Sequence, residues 1–489
     1  MLIFRIRLTK RQIWTTIFSV KLFTFKEYYS VMKKINNFTE GKILPSLIIF
    51  ALPVLLSLFL QTMYGAVDMM IVGWFGTDAD VTAISTGSWI MHALTAVITG
   101  LAMGTTIFIG IKIGEKRENE TGDIIGAGIV LFGIISAAML LLTELFAEQI
   151  ATVMQSPAEA FDGTVTYIRI CGAGFFFITA YNVLGAIFRG IGNSAMPLVT
   201  VAIACVCNIV GDLVFVGALG MGVSGAALAT VLAQLISVII SLVIIAKMGL
   251  PFRFSPKNIR FHKSYMARTF SLGFPIAFQD FLVCISFLAI TAIINNIGQT
   301  MGVAVTAGVG VAEKVCGFIM LVPSAYMQSM SAFVSQNIGA QEFSRARKAL
   351  LCGIITSLSV GVLMFLFTFF RGDLLAGIFA KDKPEAIFYA AEYLKAYAID
   401  CIFVSFLFCF IGYFNGYGKT RFVMWQGLVG AFCVRIPVSL LMSTLEPVSV
   451  FGIGLATPCT TIVQITMCFI YFSVILKRET KMTAKALTQ

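Results

Sequence analysis

Two carboxylates lie in stretches of the sequence that otherwise resemble the interior of a lipid bilayer. Asp68 directly follows residues 43–67, which carry no charged side chain, and Asp212 follows a second uncharged run, residues 190–211. An ionised Asp at the centre of a membrane helix costs about 2.5–3.5 kcal/mol, so such residues usually face a protein interior or a water-filled cavity. The two acids are therefore candidate functional residues.

Polar side chains accompany Asp68 on its predicted helix. Gln61, Tyr64 and Asp68 are spaced i, i+3, i+7, which places them on one helical face. Pro53 precedes them and can kink the helix near the middle of the membrane. The spacing predicts a polar face directed into the protein, with Gln61 and Tyr64 as candidate residues of a substrate cavity.

A second polar stripe is formed by Asn208 and Asp212, spaced i, i+4, and Thr230 follows on the next predicted span at a similar depth. Oxygen atoms of this kind are the ligands that hard cations such as Na⁺ prefer. Two carboxyl groups held close together also make one of them easier to protonate. The pattern predicts a Na⁺ or H⁺ site that includes Asp68. The alternative is that Asn208 and Asp212 only bond neighbouring helices and that Asp68 lies at the membrane interface.

The composition requires a membrane to surround these residues. Hydrophobic residues make up 58% of the 489, charged residues only 12%, and the mean hydropathy is +0.92, whereas soluble domains carry about 25% charged residues. Uncharged runs recur along the chain, and a membrane helix needs about 20 apolar residues. Because lipid offers the backbone no hydrogen-bond partners, every span must be helical. We predict an all-α membrane protein with twelve transmembrane helices.

The net charge of +11 does not indicate nucleic-acid binding, because of how it is distributed. With twelve spans and the amino terminus inside, most of the Lys and Arg residues fall on one side of the membrane. The exceptions are Arg371, Lys381 and Lys383 on the other side and Arg169, Lys314, Lys395 and Arg435 within or near spans. This asymmetry is the positive-inside rule. It predicts a multi-pass protein of the inner, cytoplasmic membrane with both termini in the cytoplasm.

No motif for cofactor or catalytic chemistry stands out. The 11 cysteines are scattered through apolar segments without a C-x-x-C pair, and the only histidines are His92 and His262. The cysteines read as small buried thiols, and the sequence lacks H-E-x-x-H or a similar metal set. We expect a protein that is not an enzyme, has no cofactor and has no metal site beyond a possible Na⁺ at the acidic cluster.

The chain repeats itself, which indicates two similar halves. FALPVLLSLFLQ around Pro53 is matched by LGFPIAFQDFLV around Pro275, and FRGIGNS is matched later by FNGYGKT. Each half has an even number of predicted spans, so both enter the membrane in the same direction. Two six-helix lobes related by a pseudo-twofold axis along the membrane normal should enclose a cleft, a plan shared by many transporters.

The predicted organisation has five parts. They are a cytoplasmic extension at residues 1–42, an amino-terminal lobe at 43–246, a basic cytoplasmic linker at 247–270, a carboxy-terminal lobe at 271–476 and a cytoplasmic tail at 477–489. Residues 1–31 either precede the true start at Met32, which we favour, or form an amphipathic helix on the membrane surface.

These motifs resemble the multidrug and toxic compound extrusion (MATE) family of transporters over nearly all of residues 39–476. The resemblance rests on LPVLLSLFLQTMYGAVDMMIVGWFG, FRGIGNSAMP, NIVGDLVFVGALGMGVSGAALAT, FVSQNIGA and FNGYGKT. It implies export of amphipathic, often cationic, drug-like compounds in exchange for inward H⁺ or Na⁺. We also expect a protein that contacts membrane lipid, does not bind nucleic acid and acts as a monomer.

The resemblance extends to individual positions. In the prokaryotic, DinF-like branch the amino-terminal lobe holds a cation site, and its positions match Asp68, Asn208, Asp212 and Thr230 here. Gln61 matches a polar position that lines the same cavity. The resemblance thus implies that these four residues bind the coupling ion.

The carboxy-terminal lobe departs from the NorM-like branch of the family. There an acidic residue in the seventh span helps to bind sodium, whereas the nearest acid here is Asp280, about one turn away. Asp400 in the tenth span is offset as well. Asp280 and Asp400 are expected either to line the substrate cavity or to be satisfied structural residues.

Two other classes compete with this interpretation. A lipid-intermediate flippase of the same wider superfamily would have extra helices and a strongly cationic cleft, which twelve spans and few cleft cations argue against. A membrane-embedded enzyme would need a clustered nucleophile and base or a metal-binding motif, and the sequence contains none.

Overall fold

The computed structural model describes residues 37–248, 250, 252, 254–380, 383–446 and 448–487. Over these residues the chain is helical throughout, with turns and short loops but no β-strand. The choice between Met1 and Met32 as the start lies outside the described residues.

Within the described residues, the first half of the chain forms seven α-helices. The fourth and fifth are separated by a single glycine, and the sixth continues as a π-helix at Leu213–Ala218. In chain order the helices are α1 Ile43–Phe75, α2 Asp78–Gly114, α3 Glu118–Val153, α4 Phe161–Ala173, α5 Phe175–Gly190, α6 Ala195–Asp212 and α7 Gly222–Met248.

The described part of the second half forms nine α-helices. A second π-helix, Val429–Arg435, lies between α13 and α14. The helices are α8 Lys263–Met301, α9 Val303–Ile319, α10 Leu321–Gly339, α11 Phe343–Phe379, α12 Pro384–Gly416, α13 Thr420–Leu428, α14 Ile436–Thr444, α15 Val450–Gly454 and α16 Ala456–Leu487.

These helices supply the predicted number of spans. Among the described residues, 11 helical stretches are long and apolar enough to cross a membrane, and there are 12 if the pair α4 and α5, bent by 56°, is one span. The prediction of an all-α membrane protein with twelve transmembrane helices in two lobes is confirmed. The bounds of the lobes and linker remain predictions.

Local sequence chemistry sets where the helices begin and end. Thr77 caps α2 because its hydroxyl accepts from the backbone N–H of Asp80 while the Asp80 carboxylate accepts from the N–H of Thr77. This reciprocal box satisfies N–H groups that a helix start leaves unpaired. Gly220, in the turn before α7, has φ of +64°, a conformation that only glycine adopts without strain.

The first helix contacts both lobes. Its first turns carry Leu47 and Phe50, which are fully buried in one cluster with Met330 and Phe333 of α10. Its last turns belong to the other lobe, where Ile71 is buried with the amino-terminal helices. Helix α1 also contains Pro53. The part of α1 up to the proline packs on the second lobe, and the part near its carboxy-terminal end packs on the first lobe.

Residues 254–262 belong to the segment that connects the two lobes. We call the end of the molecule on which this segment lies the linker end, and there the two lobes approach each other closely. A Cβ on Gly104 of α2 would collide with the backbone of Thr269 and Gly273 in α8. Further along, Gln336 Nε2 donates to the carbonyl oxygen of Gly190 at 3.0 Å. Close backbone contact at Gly104 and this side-chain hydrogen bond therefore join the two lobes at the linker end.

Candidate functional site

Helices α1 and α6 bring the two acids of the first lobe together. Asp68 is 6% exposed and Asp212 is fully buried, and their carboxyl groups lie within hydrogen-bond reach of each other. No N–H or O–H donor within the described residues reaches either oxygen of Asp212 or Oδ1 of Asp68. Buried polar atoms normally have hydrogen-bond partners. The unpartnered oxygens of this pair are therefore available to accept a proton or to coordinate a cation.

Asn208 and Thr230 lie beside this pair. Asn208 is 1% exposed, and its Nδ2 donates to Thr230 Oγ1 at 3.4 Å. The Thr230 hydroxyl in turn donates to the carbonyl oxygen of Ala226 at 3.1 Å. The second lone pair of Thr230 Oγ1 and the unpartnered Asn208 Oδ1 remain available as acceptors. The chain brings all four predicted residues into the interior of the first lobe.

The set of oxygen ligands at this site suits a small monovalent cation. It consists of two carboxylates, one carboxamide oxygen and one hydroxyl oxygen, the hard ligands that Na⁺ shares with other hard cations. No group of three or more His, Cys, Asp or Glu side chains arranged for a metal occurs in the described part of the chain. With both carboxyl groups ionised the site carries two negative charges, and one bound proton or monovalent cation reduces this to one.

The backbone changes its winding at this site. Asp212 is the last α-helical residue of α6, and the π-helix Leu213–Ala218 begins directly after it. π-Helical turns widen a helix locally and frequently mark functional sites. Both carboxylate oxygens of Asp212, at this change of winding, have no hydrogen-bond partner among the described residues.

The remaining predicted residues of the first lobe extend the polar face of α1. Gln61 Nε2 donates to the hydroxyl oxygen of Tyr181 in α5 at 3.1 Å. Tyr64 is half-buried and lies one helical turn from Asp68, so the two side chains interact electrostatically. Gln61, Tyr64 and Asp68 therefore share a face directed into the first lobe, as the spacing predicts.

The two predicted acids of the second lobe lie apart from this cluster. Asp280 is half-buried on α8 near Cys284. Asp400 on α12 is 1% exposed and hydrogen-bonds with Thr461 of α16. In this arrangement Asp400 lies inside the second lobe and not on an open cleft wall.

Sequence reasoning missed two charged residues of the second lobe. Arg435, treated above only as a basic residue within or near a span, is 8% exposed, and its Nη1 donates to Ser286 Oγ of α8 at 3.1 Å. Glu313 of α9 is half-buried and hydrogen-bonds with Thr291. The available signal was a charge inside an apolar run, the same signal that identified Asp68.

A multi-pass helical protein with two similar lobes and a buried acidic pair belongs, by architecture, among membrane transporters. The MatE family model matches residues 53–214 and again residues 275–441. The two matches cover most of the chain, and the chain belongs to this family. The double match also agrees with the internal repeat.

Relatives and solved structures agree with this assignment. The chain is 23% identical over 445 residues to "Probable multidrug resistance protein YoeA" of Bacillus subtilis (strain 168), covering 89% of this chain and 94% of that protein. It is 25% identical over 440 residues to "Probable multidrug resistance protein YpnP" of the same strain, covering 90% and 97%. A solved structure titled "Outward-facing conformation of a multidrug resistance MATE family transporter of the MOP superfamily" superposes with a TM-score of 0.85 at 16% identity over 92% of this chain and 100% of that one.

Proposed function

We propose that this transporter is a secondary antiporter that exports amphipathic, often cationic compounds in exchange for inward H⁺ or Na⁺. The observation that carries the proposal is the meeting of Asp68 and Asp212, both buried and without a donor on three of their four oxygens. Two like charges in a dry interior are unfavourable unless a positive charge joins them. The site therefore favours uptake of a cation.

The coupling follows from the position of the site on α1. Occupation changes the hydrogen bonding of Asp68, and α1 contacts both lobes on either side of Pro53. A bend of this helix alters the first-lobe surface near Gln61 and Tyr64, weakens drug binding and releases the drug outward. A monovalent ion crossing 100 mV supplies about 2.3 kcal/mol, which drives export only because the site is tied to lobe motion.

The proposal also covers the location, the oligomeric state and the partners of the protein. We place the protein in the inner membrane as a monomer with both termini in the cytoplasm, acting without a cofactor or a catalytic step. Drug-like small molecules and membrane lipid are its partners, and nucleic acid is not.

Dye transport in proteoliposomes tests the site and the ion together. An imposed pH gradient and an imposed sodium gradient are applied separately, and efflux of a cationic dye is followed. Asp68→Asn and Asp212→Asn should each abolish efflux while the protein stays inserted and monodisperse. Asp162→Asn, an exposed acid at the start of α4, should transport normally. Normal efflux by both site variants would contradict the proposal.

A further inference from the structure

An apolar groove runs along the first lobe beside the linker end. It has a volume of about 280 Å³ and is lined by α3, α5 and α7, together with Leu250 and Phe254 of the segment that connects the lobes. No described residue of α1, α2, α6 or the second-lobe helices lines it. The side chains of Ile129, Phe176 and Leu242 on its walls are exposed. The groove therefore opens sideways toward lipid and is separate from the acidic site.

The groove extends over the depth of one lipid leaflet. Helix α3 begins, and α5 and α7 end, at the linker end, so Ile187 of the lining lies near that end and Phe176 lies deeper. These two residues are about 16 Å apart along α5, at a rise of about 1.5 Å per residue, and the hydrocarbon of one leaflet is about 15 Å thick. Drug-sized ligands occupy about 300–1,000 Å³. A smaller volume drawn out along the span fits one extended hydrocarbon chain better than a compact molecule.

The lining offers little to a polar or charged ligand. Its only polar side chains are those of Ser136 and Thr179, and the Ser136 hydroxyl donates to the carbonyl oxygen of Phe132 at 2.7 Å. Thr179 is 2% exposed, and its hydroxyl has no hydrogen-bond partner among the described residues. One hydroxyl cannot compensate a buried charge. The interior of the groove therefore favours an uncharged chain.

The segment between the lobes is fixed over one end of the groove. Asn258 Nδ2 donates to Asp123 Oδ1 of α3 at 2.8 Å, and Arg260 pairs with the same oxygen at 3.4 Å. These contacts hold the segment against the first lobe. Leu250 and Phe254 of the same segment thus form the end of the groove that lies at the membrane surface.

This end of the groove is basic. Residues 247–268 are rich in Lys and Arg and contain no Asp or Glu. Lys257 is exposed, lies outside the ion pairs of the described residues and follows Phe254 of the lining by one short turn. Lys247, in the last turn of α7, directly follows the lining residue Ile245 by two positions. The apolar groove therefore ends beside positive charge at the surface of the membrane.

We propose that this groove binds one acyl chain of an anionic phospholipid from the leaflet at the linker end, and that the lipid phosphate binds at Lys247 and Lys257. The predicted topology makes this end cytoplasmic, and the cytoplasmic leaflet carries anionic lipids. A chain gains no hydrophobic free energy on moving from the bilayer into the groove, because both are apolar. The head group therefore supplies the selectivity, and close packing of the chain fixes the position. The inference does not depend on the proposed antiport, since lipid binding is measured without transport.

Native mass spectrometry of the full chain in detergent micelles tests the inference. The protein is titrated with phosphatidylglycerol and, separately, with phosphatidylcholine of the same acyl chains. Each basic residue near an anionic head group is worth about fivefold in affinity. The first phosphatidylglycerol should therefore bind at least about tenfold more tightly than the second and than phosphatidylcholine. Glycerol phosphate in large excess, a head group without chains, should not displace it.

A substitution inside the groove tests the site of the chain. Gly133 lines the groove, and a Cβ there would meet nothing within 4 Å. Gly133→Leu should therefore fold, occupy the groove and weaken binding of the first phosphatidylglycerol by about tenfold, because the chain loses its packing contacts. Gly377→Leu on α11, where a Cβ also meets nothing within 4 Å, should bind lipid as the parent protein does.

Charge substitutions test the site of the phosphate. Lys247→Gln and Lys257→Gln should each weaken binding of phosphatidylglycerol by about fivefold and leave that of phosphatidylcholine unchanged. Lys348→Gln, an exposed basic residue of the second lobe, is the matched control and should change neither.

Three results would overturn the inference. They are equal affinities for the two lipids, unchanged binding of phosphatidylglycerol by a folded Gly133→Leu variant, and binding of a cationic dye that Gly133→Leu abolishes while binding of phosphatidylglycerol persists. The last result would assign the groove to drug-like molecules.

A second measurement uses the parent protein in case Gly133→Leu is too unstable to purify. Phosphatidylglycerol with a diazirine near the end of one acyl chain is incorporated into nanodiscs with the full chain and photolysed. Peptides covering residues 129–136 of α3 or 176–183 of α5 should carry the label. Labelling confined to other helices would contradict the proposed site.

Discussion

Thr230 joins the first-lobe site through a single hydroxyl, which accepts from Asn208, one helical turn before Asp212. Thr230→Val removes this oxygen and keeps the shape of the side chain. One lost hydrogen-bonding group is worth about 1 kcal/mol, so the ion concentration for half-maximal efflux should rise by about fivefold. Thr230→Ser keeps the hydroxyl and should behave as the parent protein. Equal loss in both variants would show that packing and not the hydroxyl matters.

Residue spacing predicted the acidic pair but not the surroundings of Arg435 in the second lobe. The intervals between Gln61, Tyr64 and Asp68 fix a helical face, and a lone acid in an apolar run must be directed inward. Spacing gives no information on which helix lies opposite a side chain. Arg435 was therefore visible as a charge in a span, but its contacts with Ser286 and Phe287 depend on how α8 packs against the π-helix.

At the scale of elements, α1 is anchored to the second lobe by an arginine. Arg345 donates to the carbonyl oxygens of Phe38 and Gly41, each at 2.7 Å, and also to that of Glu40. Asn337 Nδ2 donates to the Phe38 carbonyl as well, at 3.1 Å, and the Phe38 ring is fully buried. Residues 38–41, which precede α1, are therefore held by the second lobe, although α1 belongs in sequence to the first lobe.

Removing this anchor should loosen α1 and reduce coupling. Hydrogen bonds to charged groups contribute about 1.5–3 kcal/mol, so Arg345→Ala should lower the free energy of unfolding by an amount in that range. Ion-driven efflux should fall while equilibrium dye binding stays within about twofold. Lys348→Ala, an exposed basic residue of the same helix, is the matched control. Thermal melting and proteoliposome efflux give the two readouts, and unchanged efflux in Arg345→Ala would contradict a coupling role for this contact.

Helix boundaries were largely predictable because they follow from local chemistry. The uncharged runs gave the spans, and glycine-rich sequence such as GALGMGVSG gave the turn before α7. The bend between α4 and α5 and the two π-helices were not foreseen, since they depend on how neighbouring helices compete for the same backbone. Tertiary packing decides such interruptions, and sequence periodicity does not report it.

At the scale of the whole molecule, closure of the linker end depends on glycines that let two helices touch. Gly104→Val would place a side chain against the backbone of Thr269 and Gly273, so we expect the lobes to separate there. Spin labels at Arg117 and Glu342, both exposed near the linker end, should report a longer distance in a background without native cysteines. Gly133→Val, whose Cβ would meet nothing within 4 Å, is the control. An unchanged distance in Gly104→Val would show that this contact does not hold the lobes together.

The anchor on Phe38 also imposes an order on biosynthesis. Arg345 follows Phe38 by 307 residues, which a ribosome needs about 15–60 s to add at roughly 5–20 residues per second. During that interval the first helix is in the membrane without its final docking partner. A nascent chain stalled before Arg345 should leave a cysteine at position 38 open to a water-soluble thiol reagent, and a chain stalled after α16 should protect it. Helix α1 is thus made early but is among the last elements to reach its final place.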